Sequence, residues 1–464
     1  MSRRFAGRVA VLAAAVLVVT GCGSTAPGEG GGAGADGTAT SGVPGPGDDP
    51  ATVAPTGDPP TEPGGWRRRP PGNVAPVEAG RVRRVVVAPD KFKGTLSAEQ
   101  AAAVMTEAVH DRLPDAEVVV VPVADGGEGT VDALLSAGAV EHRFRVTGPL
   151  GGPVQARLAV GEGTAYVEAA QACGLVLVTP TPDTALRAHS GGVGELVRHA
   201  LDLGCREIVV GVGGVACTDG GSGALGALGA RDVGGQRLDG GGAGLGGLTG
   251  LDLSGLDARL RGTRVVVATD VTNPLVGPHG AAAVYGPQKG AGPREVDRLD
   301  EGLRRWATLL EAATGRDVAH SPGAGAAGGL AGGLVAALGA EVASGVELVL
   351  ERVGARDVVA GADLVITGEG RLDAQSLHGK APVGVAGLAH EHAVPVLAVA
   401  GTVDPDARER LAERFDAIWS VAGEVGEQAA LQHAAASLGA VTRTALDAWL
   451  AARERTARRP RPTG

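Results

Sequence analysis

The stretch RVRRVVVAPD, residues 81–90, decides the fold class of this chain. Its β-branched run is strand-like and is bounded by Pro89. Ser97 follows a short loop and can cap the helix predicted by AEQAAAVMTEAVHDRL, in which apolar residues recur at helical spacing. The same alternation of a near-continuous apolar run with a helical stretch returns several times along the chain. It predicts buried parallel strands in an α/β fold.

Acidic residues stand at or just past the carboxyl ends of these apolar runs. They are Asp90, Asp125, Asp219, Asp270 and Glu369. One acid at such a position is usually a helix cap. Because ligands in open α/β sheets bind outside the carboxyl ends of the strands, five acids at equivalent positions predict a crevice that collects several carboxylates.

The same loops carry positive charges and glycine-rich turns. The cations are Lys91 and Lys93 in APDKFKGT, Lys289 in YGPQKG, and Arg371 and Lys380 in TGEGRLDAQSLHGKAP. Turns such as DGGEGT let backbone N–H groups approach an anion closely. Carboxylates for Mg²⁺, lysines for phosphates and glycine turns for backbone contacts together indicate phosphoryl transfer. The chain has no P-loop, and no GxGxxG is followed by a suitable acid, so the sequence predicts neither a P-loop protein nor a dinucleotide-binding protein.

Composition argues against other classes of protein. The formal net charge of −10 and an aromatic content of 2% argue against a nucleic-acid partner. The four cysteines show neither metal-ligand spacing nor a paired pattern, so we expect no disulfide framework. A chain of 464 residues is long enough for two or more domains with ample core.

The N-terminal segment has features of an exported protein, which the rest of the chain does not share. Residues 1–22 place arginines before a short apolar run, as in a secretory signal peptide, and VVTGC resembles a lipobox with Cys22 as the lipidated residue. Residues 23–80 are rich in Gly and Pro and predict a disordered linker. Two interpretations follow. Either the body is tethered through Cys22, or translation starts near Arg81 and the protein is cytoplasmic, with no membrane association of its catalytic body.

Seven blocks from about Val82 to about Leu450 resemble, in order, the type I glycerate kinase family. They are APDKFKGTLSA, VPVADGGEGTVDAL, VTGPLG, GGVACTDGGSGALGALG, ATDVTNPLVGPHGAAAVYGPQKGA, PGAGAAGGLAGGL and TGEGRLDAQSLHGKAPVGVA. The resemblance implies ATP-dependent phosphorylation of D-glycerate, most often at the 2-hydroxyl, with Mg²⁺ accompanying ATP. It also implies two α/β domains. We expect a discontinuous Rossmann-like domain with a mostly parallel sheet over residues 81–140 and 295–450, an inserted α/β domain over 141–294, and a basic tail over 451–464.

Charge and position suggest roles for individual residues. Arg371 has the planar fork that matches the glycerate carboxylate, or it forms a salt bridge with Asp373 or Glu369. Lys93 stands before a helix N-terminus, from which it can reach phosphates and act in catalysis. Asp373 and Glu369 are equally suited to be the general base.

The remaining carboxylates and backbone groups complete the predicted site. Asp125, Asp219 and Asp270 suit either Mg²⁺ or the hydroxyl proton; we expect Asp125, Asp219, Asp373 and Lys93 in catalysis, with Asp270 and Asp219 on the metal. The further candidates are Lys289, Gly126, Gly127, Gly220 and Gly221 for the ATP phosphates, and Glu369, Asn273 and Lys380 for the substrate.

Two other functions stay open beside the kinase. The chain can be an envelope solute-binding lipoprotein with a kinase-like body, or an inactive relative retained as a binding protein. A solute-binding module has no need of glycine-flanked lysines beside carboxylates, so we favour the kinase. The residues leave open which hydroxyl accepts the phosphate and which oligomeric state the protein adopts.

Overall fold

A computed structural model describes residues 66–67 and 82–457. The strands are β1 (Trp66–Arg67), β2 (Arg84–Pro89), β3 (Glu117–Val120), β4 (Val140–Thr147), β5 (Pro153–Gly161), β6 (Thr164–Glu168), β7 (Glu207–Gly211), β8 (Arg231–Asp232), β9 (Leu251–Asp252), β10 (Arg264–Ala268), β11 (Glu341–Ala343), β12 (Leu364–Gly368), β13 (Arg371–Leu372), β14 (Val396–Ala400), β15 (Thr402–Val403) and β16 (Ala417–Ser420). The α-helices are α1 (Ala98–Arg112), α2 (Thr130–Ser136), α3 (Ala169–Cys173), α4 (Pro182–Arg187), α5 (Gly191–Asp202), α6 (Ser222–Ala227), α7 (Gly241–Gly244), α8 (Ala281–Tyr285), α9 (Pro293–Thr314), α10 (Leu330–Leu338), α11 (Gly345–Arg352), α12 (Ala355–Ala360), α13 (Ala381–Glu391), α14 (Arg408–Ala412), α15 (Val421–Val425), α16 (Glu427–Gln432) and α17 (Ala434–Ala457).

Most of the strands form two six-stranded sheets. The first sheet has the order β1-β16-β14-β12-β2-β3 and is parallel except for β1. The second has the order β11-β10-β7-β6-β5-β4, with parallel pairing from β11 to β6 and antiparallel pairing at β5 and β4. The predicted α/β fold with mostly parallel sheets is confirmed.

Helices on both faces of the first sheet explain why its strands are apolar without interruption. In β2, Val86 and Ala88 pack into one hydrophobic cluster with α13, whereas Val85 and Val87 pack into another with α1 and α17. The three valines are completely buried. Burying each of them stabilises the fold by roughly 1.5–3 kcal/mol relative to an exposed side chain.

Helix α1 begins at the position that the sequence predicts. The Ser97 hydroxyl accepts a hydrogen bond from the Gln100 N–H at 3.1 Å, and the Gln100 side chain accepts one from the Ser97 N–H at 2.9 Å. This capping box satisfies two backbone donors at the helix start. It also fixes the length of the loop that leads from β2 into the helix.

The two sheets divide the chain in an interrupted order. Strands of the first sheet come from residues 66–120 and 364–420, and strands of the second come from residues 140–343. We call the part built on the first sheet the outer domain and the part built on the second sheet the inserted domain. The strand order of the two sheets is compatible with the predicted division into a discontinuous domain and an insertion, which stays a prediction.

The exact edges of the inserted domain stay a prediction. Strand β11 pairs with β10 in the second sheet. Leu303 and Trp306 of α9 pack with Leu225 and Leu245 in one hydrophobic cluster of the inserted domain. Because Leu303, Trp306 and β11 all lie after residue 294, we propose that the insertion ends near residue 343, beyond the edge predicted from the sequence.

The predicted terminal segments lie largely outside the described residues. This holds for residues 1–22, for most of 23–80 and for 458–464. Within the predicted linker, β1 pairs with β16, and within the predicted tail, α17 continues to Ala457. In residues 66–67 and 82–457, none of the helices combines the length and the apolar character needed to cross a membrane.

Candidate active site

The carboxyl ends of β2 and β12 form a topological switch point in the first sheet. The chain leaves β2 for β3 on one side, and it leaves β12 for β14 on the other. Asp90 follows β2 and Glu369 follows β12, and the Asp90 N–H donates to the Gly368 carbonyl at 2.8 Å. Open α/β sheets bind ligands in the crevice at such a point. These two acids therefore mark the centre of the candidate site.

The loop between β2 and α1 places two lysines beside Asp90. The Lys91 N–H donates to Asp90 Oδ1 at 2.7 Å, and Lys91 Nζ donates to the Glu128 carbonyl at 2.6 Å. Burial raises the pKa of Asp90, an effect that Lys91 partly offsets. Burial alone would lower the pKa of Lys91, but the surrounding carboxylates, Asp90 foremost, raise it above its ordinary value. Lys91 is therefore held in place as a charge, whereas the side chain of Lys93 is exposed.

The loop of Asp125, Gly126 and Gly127 joins the outer domain to the inserted domain. Gly126 has a φ of +79°, and a Cβ there would lie 3.0 Å from the Ala268 carbonyl oxygen. A Cβ on Gly127 would lie 3.2 Å from Gly213 Cα. Glycine permits this close approach, so the loop lies against the carboxyl ends of β7 and β10. This close packing accounts for the presence of glycine at both positions. The predicted contact of Gly126 and Gly127 with the phosphates of ATP stays a prediction.

Asp270 lies beyond the end of β10, in the inserted domain, and faces residues of the outer domain. Its Oδ2 accepts a hydrogen bond from the Val346 N–H at 3.4 Å, and a Cβ on Gly379 would lie 3.2 Å from its Oδ1. Burial raises the pKa of Asp270 to about 6, and the Asp125 carboxylate contributes to the rise while hydrogen bonds oppose it. The fold thus brings Asp270 close to Asp125 and to the loop that follows Glu369.

Glu369 is buried at the start of that loop, which runs to Lys380. Ser376 Oγ donates to Glu369 Oε1 at 2.6 Å, and Lys380 Nζ lies 3.6 Å from Glu369 Oε2 and 3.6 Å from Asp373 Oδ1. Burial raises the pKa of Glu369 to about 7, although Lys380 and Ser376 both lower it. Lys380 therefore bridges two carboxylates, and Glu369 changes its protonation state near neutral pH.

Arg371 and Asn273 have protein partners in the structure. The Arg371 side chain is 64% exposed, and its guanidinium lies 3.6 Å from Asp373 Oδ2 and 3.4 Å from Asp404 Oδ2. Asn273 Nδ2 donates to the His279 carbonyl at 2.9 Å, and Asn273 Oδ1 accepts from the Tyr285 hydroxyl at 2.7 Å. Arg371 forms the alternative salt bridge with Asp373 yet stays accessible. Asn273 stabilises a turn with both ends of its amide, which argues against its predicted substrate contact.

Asp219 belongs to the core of the inserted domain and not to the crevice. It is completely buried. Its Oδ2 accepts from the Ser190 N–H and hydroxyl at 2.8 Å each and from the Gly223 N–H at 3.2 Å, and its Oδ1 accepts from the Gly221 N–H at 3.1 Å. This carboxylate satisfies donors at the starts of α5 and α6. Its predicted roles in catalysis and metal binding stay predictions, and the structure adds a structural role for this carboxylate.

Lys289, Gly220 and Gly221 lie in the same buried region. Lys289 Nζ donates to the Cys217 carbonyl, and burial lowers the pKa of this lysine. A Cβ on Gly220 would overlap the ring of Trp306, and both glycines have a positive φ. These three residues connect their loops to the core of the inserted domain. The structure shows a packing role for each of them, and their predicted contact with the phosphates of ATP stays a prediction.

The sequence interpretation missed Glu168 and Ser376. Glu168 ends β6, is buried, and accepts a hydrogen bond through Oε2 from the Val131 N–H at 3.3 Å. Burial raises the pKa of Glu168. The sequence contains a signal for Glu168, because this residue ends the apolar run TAYVE just as the five predicted acids stand at the ends of theirs. It differs from most of them in having no glycine or proline close behind it.

A cavity of about 930 Å³ lies between the two domains and is lined by several of these groups. The outer domain contributes Asp90, Lys91 and Lys93, and the inserted domain contributes Glu168 and Gln171. The volume is typical of a small-molecule site. Lysines and carboxylates in one cleft suit a polyanionic ligand accompanied by a metal ion.

Two carboxylates at the domain junction provide oxygen donors of the kind that divalent cations such as Mg²⁺ use. Within the part of the chain that the structure describes, no group of three or more His, Cys, Asp or Glu side chains forms a ready metal site. Mg²⁺ in phosphoryl-transfer sites uses one or two carboxylates together with substrate phosphates and water. Asp125 and Asp270 are oxygen donors near the end of β10, so they fit this mode of binding.

Comparisons with known proteins identify relatives along most of the chain. The model of the glycerate kinase family matches residues 85–450. The chain is 44% identical over 349 residues to glycerate 2-kinase of Escherichia coli (strain K12), covering 74% of this chain and 91% of the relative. It is 44% identical over 359 residues to glycerate kinase of Bacillus subtilis (strain 168), covering 76% and 94%. A crystal structure described as a glycerate kinase 2 of Salmonella typhimurium LT2 is similar with a TM-score of 0.68 and 41% identity, covering 80% of this chain and all of that one.

Proposed function

The chain belongs to the glycerate kinase family, and on that premise we propose that it transfers the γ-phosphoryl group of ATP to the 2-hydroxyl of D-glycerate, giving 2-phosphoglycerate. One observation carries the proposal. Asp90 and Glu369 flank the topological switch point, and Lys91, Lys93 and Lys380 lie in the same loops. Phosphoryl transfer depends on positioning and charge stabilisation, for which such a crevice is suited.

Lys93 and Arg371 are the two cations that we assign to the substrates. Both are exposed, whereas Lys91 and Lys380 are held by neighbouring groups. We assign Lys93 to the phosphates of ATP, because it lines the cleft in the loop that leads into the N-terminus of α1. We assign Arg371 to the carboxylate of glycerate, because its planar fork can exchange the loose contacts with Asp373 and Asp404 for a bidentate pair.

Glu369 is the group that we assign to the substrate hydroxyl as proton acceptor. An efficient general base has a pKa near the working pH, and burial raises the pKa of Glu369 to about 7. The hydroxyl proton would pass to the Oε2 side of the carboxylate, since Oε1 already accepts from Ser376. Lys380, 3.6 Å away, stabilises the ionised form that accepts the proton.

Asp270 and Asp125 are the residues that would hold Mg²⁺. When bound, Mg²⁺ would offset the charge on the phosphates of ATP. Asp270 must be ionised to bind a cation, and burial raises its pKa to about 6. The affinity for Mg²⁺ should therefore weaken as the pH falls through about 6.

The proposal is tested with the full-length protein, ATP, Mg²⁺ and D-glycerate. We expect release of ADP that depends on glycerate, and a product that enolase consumes without a phosphoglycerate mutase. A product that needs the mutase would move the phosphate to the 3-hydroxyl. Glycerate binding in a calorimeter without any release of ADP would contradict the kinase and favour the solute-binding alternative.

The replacement Lys93→Ala should lower kcat/KM by about 100-fold, because it removes one fixed charge from the phosphates. The melting temperature should stay unchanged, since the Lys93 side chain is exposed. Arg83→Ala, an exposed cation at the opposite end of β2, is the matched control and should retain full activity. A loss of less than about threefold in Lys93→Ala would remove this lysine from the site.

The replacement Asp270→Asn should raise the Mg²⁺ concentration for half-maximal rate by about tenfold or more. Binding of Mn²⁺ in the presence of a non-hydrolysable ATP analogue, followed by electron paramagnetic resonance, measures the same loss directly. Asp357→Asn changes an exposed acid of α12 and should leave metal binding as it is. Unchanged Mn²⁺ binding in Asp270→Asn would assign the metal to other residues.

The cytoplasm is the compartment that we propose for this reaction, because ATP is supplied there. The segment that resembles a signal peptide, residues 1–22, lies outside the described residues.

A further inference from the structure

The cleft between the domains has a second kind of lining besides its acids and lysines. Part of its wall is apolar and comes from the carboxyl end of β3 and from α1. These residues are Leu96, Ala98, Ala102, Val120, Val121, Pro122 and Val123. They lie beside β2 at the edge of the sheet, one strand away from the switch point. The cavity therefore combines a charged region with an apolar region, as small-molecule sites commonly do.

Two valines of this lining have exposed side chains. Val120 is 47% exposed at the end of β3, and Val176 is 81% exposed in the 3-10 turn Leu175–Leu177. Val120 belongs to the outer domain and Val176 to the inserted domain, and both line the same cavity. A ligand bound in this cavity would cover both side chains, which makes them candidate contacts for an apolar part of that ligand.

A smaller apolar cavity nearby competes for the same role. It has a volume of about 140 Å³ and is lined by Phe92, Val421, Leu431 and Leu438 among others. It shares Lys93 and Thr95 with the large cleft. Its volume lies below the usual range of about 300–1,000 Å³ for ligand pockets. The large cleft can hold a base and a triphosphate in one continuous space, so we favour it.

We propose that Val120 and Val176 form the subsite for the adenine base of ATP, one packing from each domain. The inference rests on the proposed function, which supplies ATP as the ligand. The triphosphate then extends from the valines towards Lys93 and the acids at the switch point. Binding of the base covers both exposed side chains and connects the two domains across the cleft.

Glutamate substitutions of exposed residues test the subsite without disturbing the core. Val120→Glu and Val176→Glu place a carboxylate against the base, and each should raise the Kd for ATP in calorimetry by about tenfold. The KM for glycerate should change by less than about twofold. Inorganic tripolyphosphate, which lacks a base, should bind these variants as tightly as the unchanged protein.

Two further variants serve as controls. Leu431→Glu alters the small cavity, and Val140→Glu alters an exposed position of β4 outside both cavities. Both should bind ATP normally. Weaker ATP binding in Leu431→Glu alone would overturn the proposal and move the base to the small cavity. Equal losses for ATP and tripolyphosphate in the valine variants would also overturn it, because the effect would not come from the base.

The outcome separates this inference from the proposed function. If the unchanged protein phosphorylates glycerate and the valine variants bind ATP normally, the subsite fails alone. If the unchanged protein binds ATP without phosphorylating glycerate, the proposed function fails, and calorimetry still tests the subsite.

Discussion

Replacing Glu369 with glutamine should lower kcat by about 10²- to 10⁴-fold, which is the usual contribution of a general base. Glutamine keeps the size of the side chain and can still accept the hydrogen bond from Ser376 Oγ, but it cannot take a proton from the substrate hydroxyl. The KM values for ATP and glycerate should change little. A coupled assay of ADP release over a range of both substrates measures these constants.

The dependence of kcat on pH provides a second test of the Glu369→Gln replacement. In the unchanged protein, kcat should rise with pH through about 7, because burial raises the pKa of Glu369 to about 7 and the ionised form is active. Glu369→Gln should lose this rise and retain a flat residual rate. Glu351→Gln, an exposed position of α11, is the control and should keep the full profile. An unchanged kcat with a raised KM for glycerate would instead support the substrate-binding role predicted from the sequence.

Stability should respond to Glu369→Gln in the opposite direction from activity. The folded protein keeps a proton on Glu369 up to about pH 7, whereas the unfolded chain loses it near 4.5. The folded state binds more protons between these values, so the free energy of unfolding falls as the pH rises through them. Glutamine removes this cost, and the variant should be more stable at pH 8 by up to about 3 kcal/mol.

The acids at the carboxyl ends of strands were the part of the site most open to prediction from the sequence. Asp90 and Glu369 directly follow apolar runs, and parallel strands bring such positions to one edge of a sheet. The same rule failed for Asp219, because β7 ends at Gly211 and the intervening loop folds back into the core. Which loop folds back depends on long-range packing against α9, which periodicity along the chain does not reveal.

Lysine usage holds a signal that the sequence interpretation did not use. Lysine and arginine together number 42, and the only lysines are Lys91, Lys93, Lys289 and Lys380. Three of them lie in the two loops at the switch point, where a compact ammonium group can meet carboxylates and phosphates. Lys289 is buried in the inserted domain instead. The positions of the few lysines thus point to the loops at the switch point. Burial then separates Lys289, which lies in the inserted domain, from the other three.

Replacing Asp219 with alanine should lower the free energy of unfolding by roughly 3–5 kcal/mol, a large part of the stability of a domain. The carboxylate accepts hydrogen bonds from the Ser190 N–H and hydroxyl, the Gly221 N–H and the Gly223 N–H. Alanine would leave these donors buried without an acceptor, and each unsatisfied group costs about 1–3 kcal/mol. Urea unfolding followed by circular dichroism measures the change.

Asp202→Ala is the matched control for this replacement and should cost less than about 1 kcal/mol. Asp202 is exposed on α5, where it pairs with Arg259 at 2.8 Å, and exposed ion pairs contribute little to stability. The unfolding experiment also decides between the two roles of Asp219. A metal ligand would leave the stability of the Mg²⁺-free protein almost unchanged on mutation and would raise the Mg²⁺ requirement of the reaction. We expect the reverse, because this carboxylate is completely buried between α5 and α6, where its oxygens accept hydrogen bonds from backbone and hydroxyl donors.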